Sequence, residues 1–278
     1  MDTYNIFHEQ GLSTYALDFL ESSSLTPFNM DETAQRILAV MGSPYYAKQV
    51  VGSTLELGIS GQVPLRPVQN AATQALHEAL LQRKSTRSFN AFLSKEEVSA
   101  CLLNAYFITE RFEEHSHHLA RRSIASGGAL YPIDLFYLSL HTDGLPCGIY
   151  AYNPHFERLE RWQAFPSSEA LLEGINQALP ADLRGSWAMD SVSGIIVFGA
   201  SLNRVACKYG DRGLRFALMD VGALCHAVHM SAAACGAGCC AIGGFLDHEL
   251  NRLMGFSEPN ETTLLTMFLG KQAQNEES

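Results

Sequence analysis

From Val68 to Arg83 the apolar side chains Ala72, Ala75, Leu76, Leu80 and Leu81 recur at helical spacing, which predicts a helix with Arg83 to Arg87 at its C-terminal edge or just beyond. Ser94-Lys95-Glu96-Glu97 then matches a capping box ahead of Val98, Cys101, Leu102 and Ala105, and predicts a second helix. Arg111 to His118 is polar and reads as a loop. Ile133 to Leu140, rich in aromatic and branched residues, reads as a strand, and Gly148 to Asn153 with Phe156 to Trp162 reads as a hairpin around Asn153-Pro154-His155. Further along, the pattern predicts a helix over Ser168 to Leu179 and a buried strand over Ser193 to Ala200. A long small-residue-rich helix over Asp211 to Cys235 leads to a Gly-rich turn and strand through Phe245. A short helix over Asp247 to Met254 precedes a last strand over Thr262 to Leu269. Residues 1–67 are irregular apart from an amphipathic stretch near Asp31 to Met41, and Gln272 to Ser278 forms a polar tail.

Helices and strands mix without the regular alternation of a doubly wound sheet, so the expected fold class is α+β. With 278 residues and 47% hydrophobic content, the chain can bury a large core. The formal net charge of -10 argues against a general binder of nucleic acid or anionic membrane, both of which need a basic face. Any anion site must therefore be local. No uninterrupted apolar stretch approaches the roughly 20 residues of a membrane span, and the first residues lack a basic-then-apolar secretion signal, which places the chain in the cytoplasm. Seven cysteines, an odd number without such a signal, read as reduced thiols.

Two short segments carry the chemistry. Arg83-Lys84-Ser85-Thr86-Arg87 clusters guanidiniums and hydroxyls suited to a phosphate monoester, although a solvated basic helix end has the same composition. Ser126-Gly127-Gly128-Ala129-Leu130-Tyr131-Pro132 is a glycine loop that lets backbone approach a flat ligand, although Gly-Gly is also an ordinary turn signal. Together, with Arg83, Ser85, Arg87, Ser126, Gly127 and Gly128 in place, they resemble the FMN-binding signature of nitroreductase-like proteins. A third segment, Cys207-Lys208-Tyr209-Gly210-Asp211-Arg212-Gly213-Leu214-Arg215, carries a Lys-Tyr pair ahead of a helix start. By itself this is an ordinary surface amine beside a half-buried ring. Beside the other two segments it resembles the SagB-type, McbC-like azoline dehydrogenases of that superfamily, in which Lys208, Tyr209, Arg212, Gly213 and Arg215 match the pattern.

The resemblance implies a nitroreductase-like fold, with a central antiparallel sheet surrounded by helices in an intertwined homodimer that holds FMN at the subunit interface. It implies oxidation of peptide thiazolines and oxazolines to thiazoles and oxazoles, alongside cyclodehydratase subunits and an azoline-bearing precursor peptide. Lys208 and Tyr209 are then catalytic, with Lys208 a base whose pKa is lowered by Arg212 or a buried setting. Gly243 and Gly244 occupy the place where backbone approaches the flavin, and Lys271, after the last strand, adds a cation to the phosphate; as sequence alone, these are a turn and a solvated tail residue. The chain departs from its relatives in lacking a proline before Ser126. Phe7-His8-Glu9 matches the family's start only loosely, which leaves residues 1–67 as an arm for a partner or for the dimer, 68–271 as the oxidase domain and 272–278 as a tail. A general NAD(P)H-dependent nitroreductase, or a degenerate scaffold subunit of the synthetase, is the alternative. No metal site is expected: Cys235, Cys239 and Cys240 lack a second pair at zinc spacing, and His115, His117 and His118 need no ligand in a polar loop.

Overall fold

The computed structural model describes residues 11–45, 65, 68, 70–114, 117–180 and 189–272. Phe7-His8-Glu9, His115 and the tail beyond residue 272 lie outside them. The sheet is built on β4 (Ile133–Ser139) and β7 (Gly194–Ser201), antiparallel neighbours buried on both faces. Alternation along them sends Leu135, Tyr137, Ile196 and Phe198 to one core, and Phe136, Leu138, Ile195 and Val197 to the other. Beyond β4 lie β5 (Gly148–Asn153) and β6 (Arg158–Ala164), both antiparallel. Beyond β7 lies β9 (Glu261–Gln272), which also pairs with β8 (Ala237–Ile242) and, at its end, with β1 (Phe89–Ala91).

One face is covered by α4 (Lys95–Ala105) and α7 (Arg212–Ala234), the other by α5 (Ser168–Ala178) and α8 (Asp247–Met254). The Ser94–Glu97 capping box is present, with Ser94 Oγ accepting from the Glu97 amide and Glu97 Oε2 from the Ser94 amide. The helix expected from Val68 runs as α3 (Ala71–Gln82), because Asn70 and Thr73 form the capping box at its start and Arg83 caps its end. By length and mean hydropathy (1.3) α7 is a candidate membrane span, but Leu214, Ala217, Leu224 and Val228 on it lie in the main core.

Several expectations are corrected. Arg111 to His118 is no loop: β2 (Ile108–Glu114) and β3 (His117–Arg122) form a two-stranded ribbon apart from the main sheet. The N-terminal arm contains α1 (Thr14–Ser23) and α2 (Met30–Met41), the latter over the stretch read as amphipathic. Ala16 of α1 is buried in the main core, and the arm is tied down at several points. Ser13 donates its amide (2.7 Å) and hydroxyl (2.5 Å) to Asp211, Leu25 donates its amide to Asp247 (2.8 Å), and His248 pairs with Glu21 at 3.4 Å. Lys208 and Tyr209 do not merely precede a helix. They end a short one, α6 (Asn203–Tyr209), separated from α7 by Gly210, whose φ is +53°. Gln272, read as the start of the tail, and Lys271, read as following the last strand, both belong to β9, because β1 and β8 extend its pairing.

Candidate functional site

The residues singled out in sequence fall into two groups. In the first, Arg83, Ser85 and Arg87 sit on an extended segment laid against β8, where Ser85 bridges Cys239 and the Thr86 amide donates to the Cys239 carbonyl at 2.8 Å. Alternation turns Thr86 inward and leaves Ser85 and Arg87 exposed. Among the described residues neither Arg83 nor Arg87 is ion-paired, leaving two free guanidiniums in an acidic protein. Arg87 joins Gly243 and Gly244 in lining a cavity of about 610 Å³, to which Met30, Ile37 and Leu38 of α2 also contribute. That volume and apolar lining suit a planar cofactor whose phosphate end meets the Arg87 guanidinium, so the residues of the cavity fit FMN; Arg83 does not line it. Lys271 lies opposite Ala237 in the β8–β9 pairing, and its ammonium is bonded to Glu97 Oε1 at 2.9 Å. Hydrogen bonds from the Ser94 amide and Lys271 hold the Glu97 carboxyl below its usual range.

In the second group, Ser126 precedes a single turn of 3-10 helix, Gly127–Ala129, with Gly128 at φ +65°. The turn is seated on Lys208 and Tyr209: a methyl group on Gly128 would lie 2.9 Å from Lys208 Nζ and overlap Tyr209 Oη, and one on Gly127 would lie 2.8 Å from the Phe216 ring. Tyr209 and Phe216 meet edge to face, with centroids 4.9 Å apart at 85°. The loop is braced from behind. Ser126 Oγ accepts from the Tyr131 amide (2.9 Å), while the Arg122 amide donates to Tyr131 Oη (2.9 Å) and Arg204 Nη1 to the Tyr131 carbonyl (3.1 Å). Asp220 is 4% exposed, burial pushes its carboxyl above the usual range although the nearby Ser126 hydroxyl pulls it down, and its Oδ2 has no partner among the described residues. Lys208 is solvent-exposed, so the buried setting expected for a base is not supplied by the single chain; the Arg212 guanidinium lies over the Phe216 ring, 6.0 Å from its centroid.

One chain does not bring the two groups together. Phe216 touches the glycine loop, whereas His229 lies within electrostatic reach of Arg83, and the 13 residue steps of α7 from one to the other span roughly 20 Å. Sequence reading passed over Asp220, Tyr131, Arg122 and Arg204; the one available signal was Asp220, an isolated acid within an apolar helical run. His229 is buried with Nδ1 3.0 Å from the Cys225 carbonyl, in keeping with packing, and among the described residues no His, Cys, Asp and Glu group is arranged for a metal.

The antiparallel sheet clothed by helices on both faces defines the nitroreductase fold. Residues 80–271 match the Nitroreductase family, and the chain belongs to it. Protein MJ1384 of Methanocaldococcus jannaschii, assigned to the nitroreductases, is 25% identical over 200 residues, covering 72% of this chain and 92% of its own length. A chain of the E. coli microcin synthetase McbBCD complex, solved with truncated pro-MccB17 bound, matches with a TM-score of 0.67 at 20% identity, over 99% of this chain and 98% of that one. A protein from Ralstonia eutropha, also assigned to the nitroreductases, matches with a TM-score of 0.54 at 22% identity, over 77% of this chain and 89% of its own. At these identities the solved structures speak to fold alone.

Proposed function

We propose that this protein is a cytoplasmic FMN-dependent dehydrogenase that oxidises peptide thiazolines or oxazolines to the aromatic azoles, working as a homodimer beside cyclodehydratase subunits. The observation that carries the reading is the seating of Gly128 on the Lys208–Tyr209 pair, which puts an amine and a phenol beside a backbone with no side chain to block a flat ligand. Azole formation removes a proton from the ring's α-carbon and a hydride from the adjacent carbon. Arg83, Ser85 and Arg87 would hold the phosphate of FMN, with Gly243 and Gly244 against its ring system. Bound there, FMN supplies a two-electron acceptor. Lys208 Nζ takes the proton, and Tyr209, fixed by the Phe216 ring, orients the amine or shares that proton.

The separation of the two residue groups supports a site completed across a dimer, the phosphate group from one protomer and the glycine loop from the other. So does the outer face of α7, where Leu218 (43% exposed) and Met219 (68% exposed) flank the small exposed residues Gly222 and Ala223. A partner there would also cover Lys208 and supply the desolvation that a lysine base needs.

The test is the visible absorption spectrum of the purified protein, followed by turnover of a thiazoline peptide. Flavin bands, release of FMN on heating and oxidation lost in Lys208→Ala with flavin retained are the expected results. A colourless protein that takes up no added FMN overturns the proposal. Nitroaromatic reduction by NADPH that is indifferent to Lys208 would instead make the protein a general nitroreductase.

A further inference from the structure

A second cavity, of about 520 Å³, lies among the glycine loop, α6 and strands β4 to β7. Leu130 of the loop and Arg204 of α6 form its wall nearest the proposed base. Arg204 and Lys208 are four residues apart on one helix face, with Cβ atoms about 5–6 Å apart by helix geometry, so the cavity opens one helical turn from the reacting position. Its opposite wall is aromatic. Phe136 packs edge to face on both Trp162 (5.4 Å, 75°) and Phe256 (5.2 Å, 64°). The Trp162 indole N–H is already used, donating to the Met254 carbonyl at 2.7 Å, yet 47% of the residue is exposed. It therefore offers a ring face rather than a polar handle.

The polar groups on the wall are unevenly satisfied. Asp134 is held by two bonds from Arg204 (3.1 and 2.6 Å), Glu160 accepts from Arg158 and Asn153, and Glu261 accepts from the Ser257 amide. Arg122 contributes the unused capacity. Its guanidinium stacks on Tyr106 and Tyr131 and donates to Tyr106 Oη (2.5 Å), but among the described residues its buried Nε has no partner. An aromatic wall and an arginine with an unfilled N–H donor in the lining of one cavity suit a planar ring that carries an acceptor atom.

We propose that this cavity is a peptide subsite for a second planar, acceptor-bearing ring, an azole or azoline of the same substrate chain, held between Trp162 and Arg122 while its neighbour reacts at Lys208. This rests on the proposed function, because it takes the substrate to be a peptide with more than one such ring. The subsite would favour substrates already partly converted, so that each finished ring helps to position the next.

Calorimetric titration of the FMN-loaded protein with two product peptides tests it, one carrying a single thiazole and the other two thiazoles separated by one glycine. The two-ring peptide is expected to bind about tenfold more tightly, the scale of one stacking contact with a charge-assisted hydrogen bond. Trp162→Leu should remove that advantage and leave single-ring affinity unchanged. Arg122 also braces Tyr106 and Tyr131, so Arg122→Gln is scored only on the ratio of the two affinities, which should likewise fall toward one. Equal binding of the two peptides, or an advantage that survives Trp162→Leu, overturns the subsite. Thiazoline oxidation with no second-ring advantage would remove the subsite and leave the reaction standing; a Trp162-dependent advantage without oxidation would keep the subsite and remove the reaction.

Discussion

Gly128 meets two demands at once, a left-handed backbone and the absence of a side chain where the Lys208 amine and Tyr209 phenol press in. Gly128→Ala is expected to cost roughly 1–2 kcal/mol in chemical denaturation, from the backbone conformation alone. Because the new methyl must push Lys208 and Tyr209 aside, turnover should fall by about a hundredfold or more, out of proportion to the stability loss. Steady-state rates beside a denaturation curve check both numbers. At this scale residue type is legible in the sequence, since paired guanidiniums, a Gly-Gly step and a Lys-Tyr pair mark candidate chemistry only in combination, each alone being an ordinary helix end, turn or surface amine. Surroundings are not. Nothing in the order of residues shows that Lys208 is exposed in the single chain, that Lys271 is bonded to Glu97, or that Asp220 lies buried against Ser126.

Among the elements, those with a start signal and a buried stripe were the readable ones. Ser94 with Glu97 announces α4, and Leu250 and Met254 on α8 face the core as their spacing requires. The β2–β3 ribbon misled because both strands stand off the main sheet, with charged residues where a half-buried strand alternates polar with apolar. Helix α6, at seven residues, is too short to show a period. The arm's attachment to α8 makes its own prediction. Burial by itself draws the His248 imidazole down, but the Glu258 and Glu21 carboxylates outweigh it and hold the group above its usual value of 6.5. A raised histidine lends stability that is fully present below about pH 6.5 and is lost as pH rises through the folded value. Thermal midpoints measured from pH 6 to pH 8.5 should therefore decline in the wild type, and His248→Gln should flatten that part of the decline.

For the whole molecule, the proposed dimer makes the α7 face carrying Gly222 and Ala223 the surface that would complete the site. Ala223→Arg places a charged side chain on that exposed face. Light scattering should then report a monomer, and the purified protein should lose its bound flavin, although the isolated chain keeps its fold. The small residues along this helix are visible in sequence; that Gly222 and Ala223 face outward while Ala217 and Ala232 face the core is not, since a mostly apolar helix leaves both readings open. The distance along α7 between Arg83 and the Gly128 turn carries a genetic consequence. An Arg87→Ala protein and a Gly128→Ala protein, each inactive alone, should rescue one another when their subunits are exchanged, because every mixed dimer gathers both lesions into one site and leaves the other intact. Random exchange would restore about a quarter of wild-type activity, as closed two-fold pairing requires.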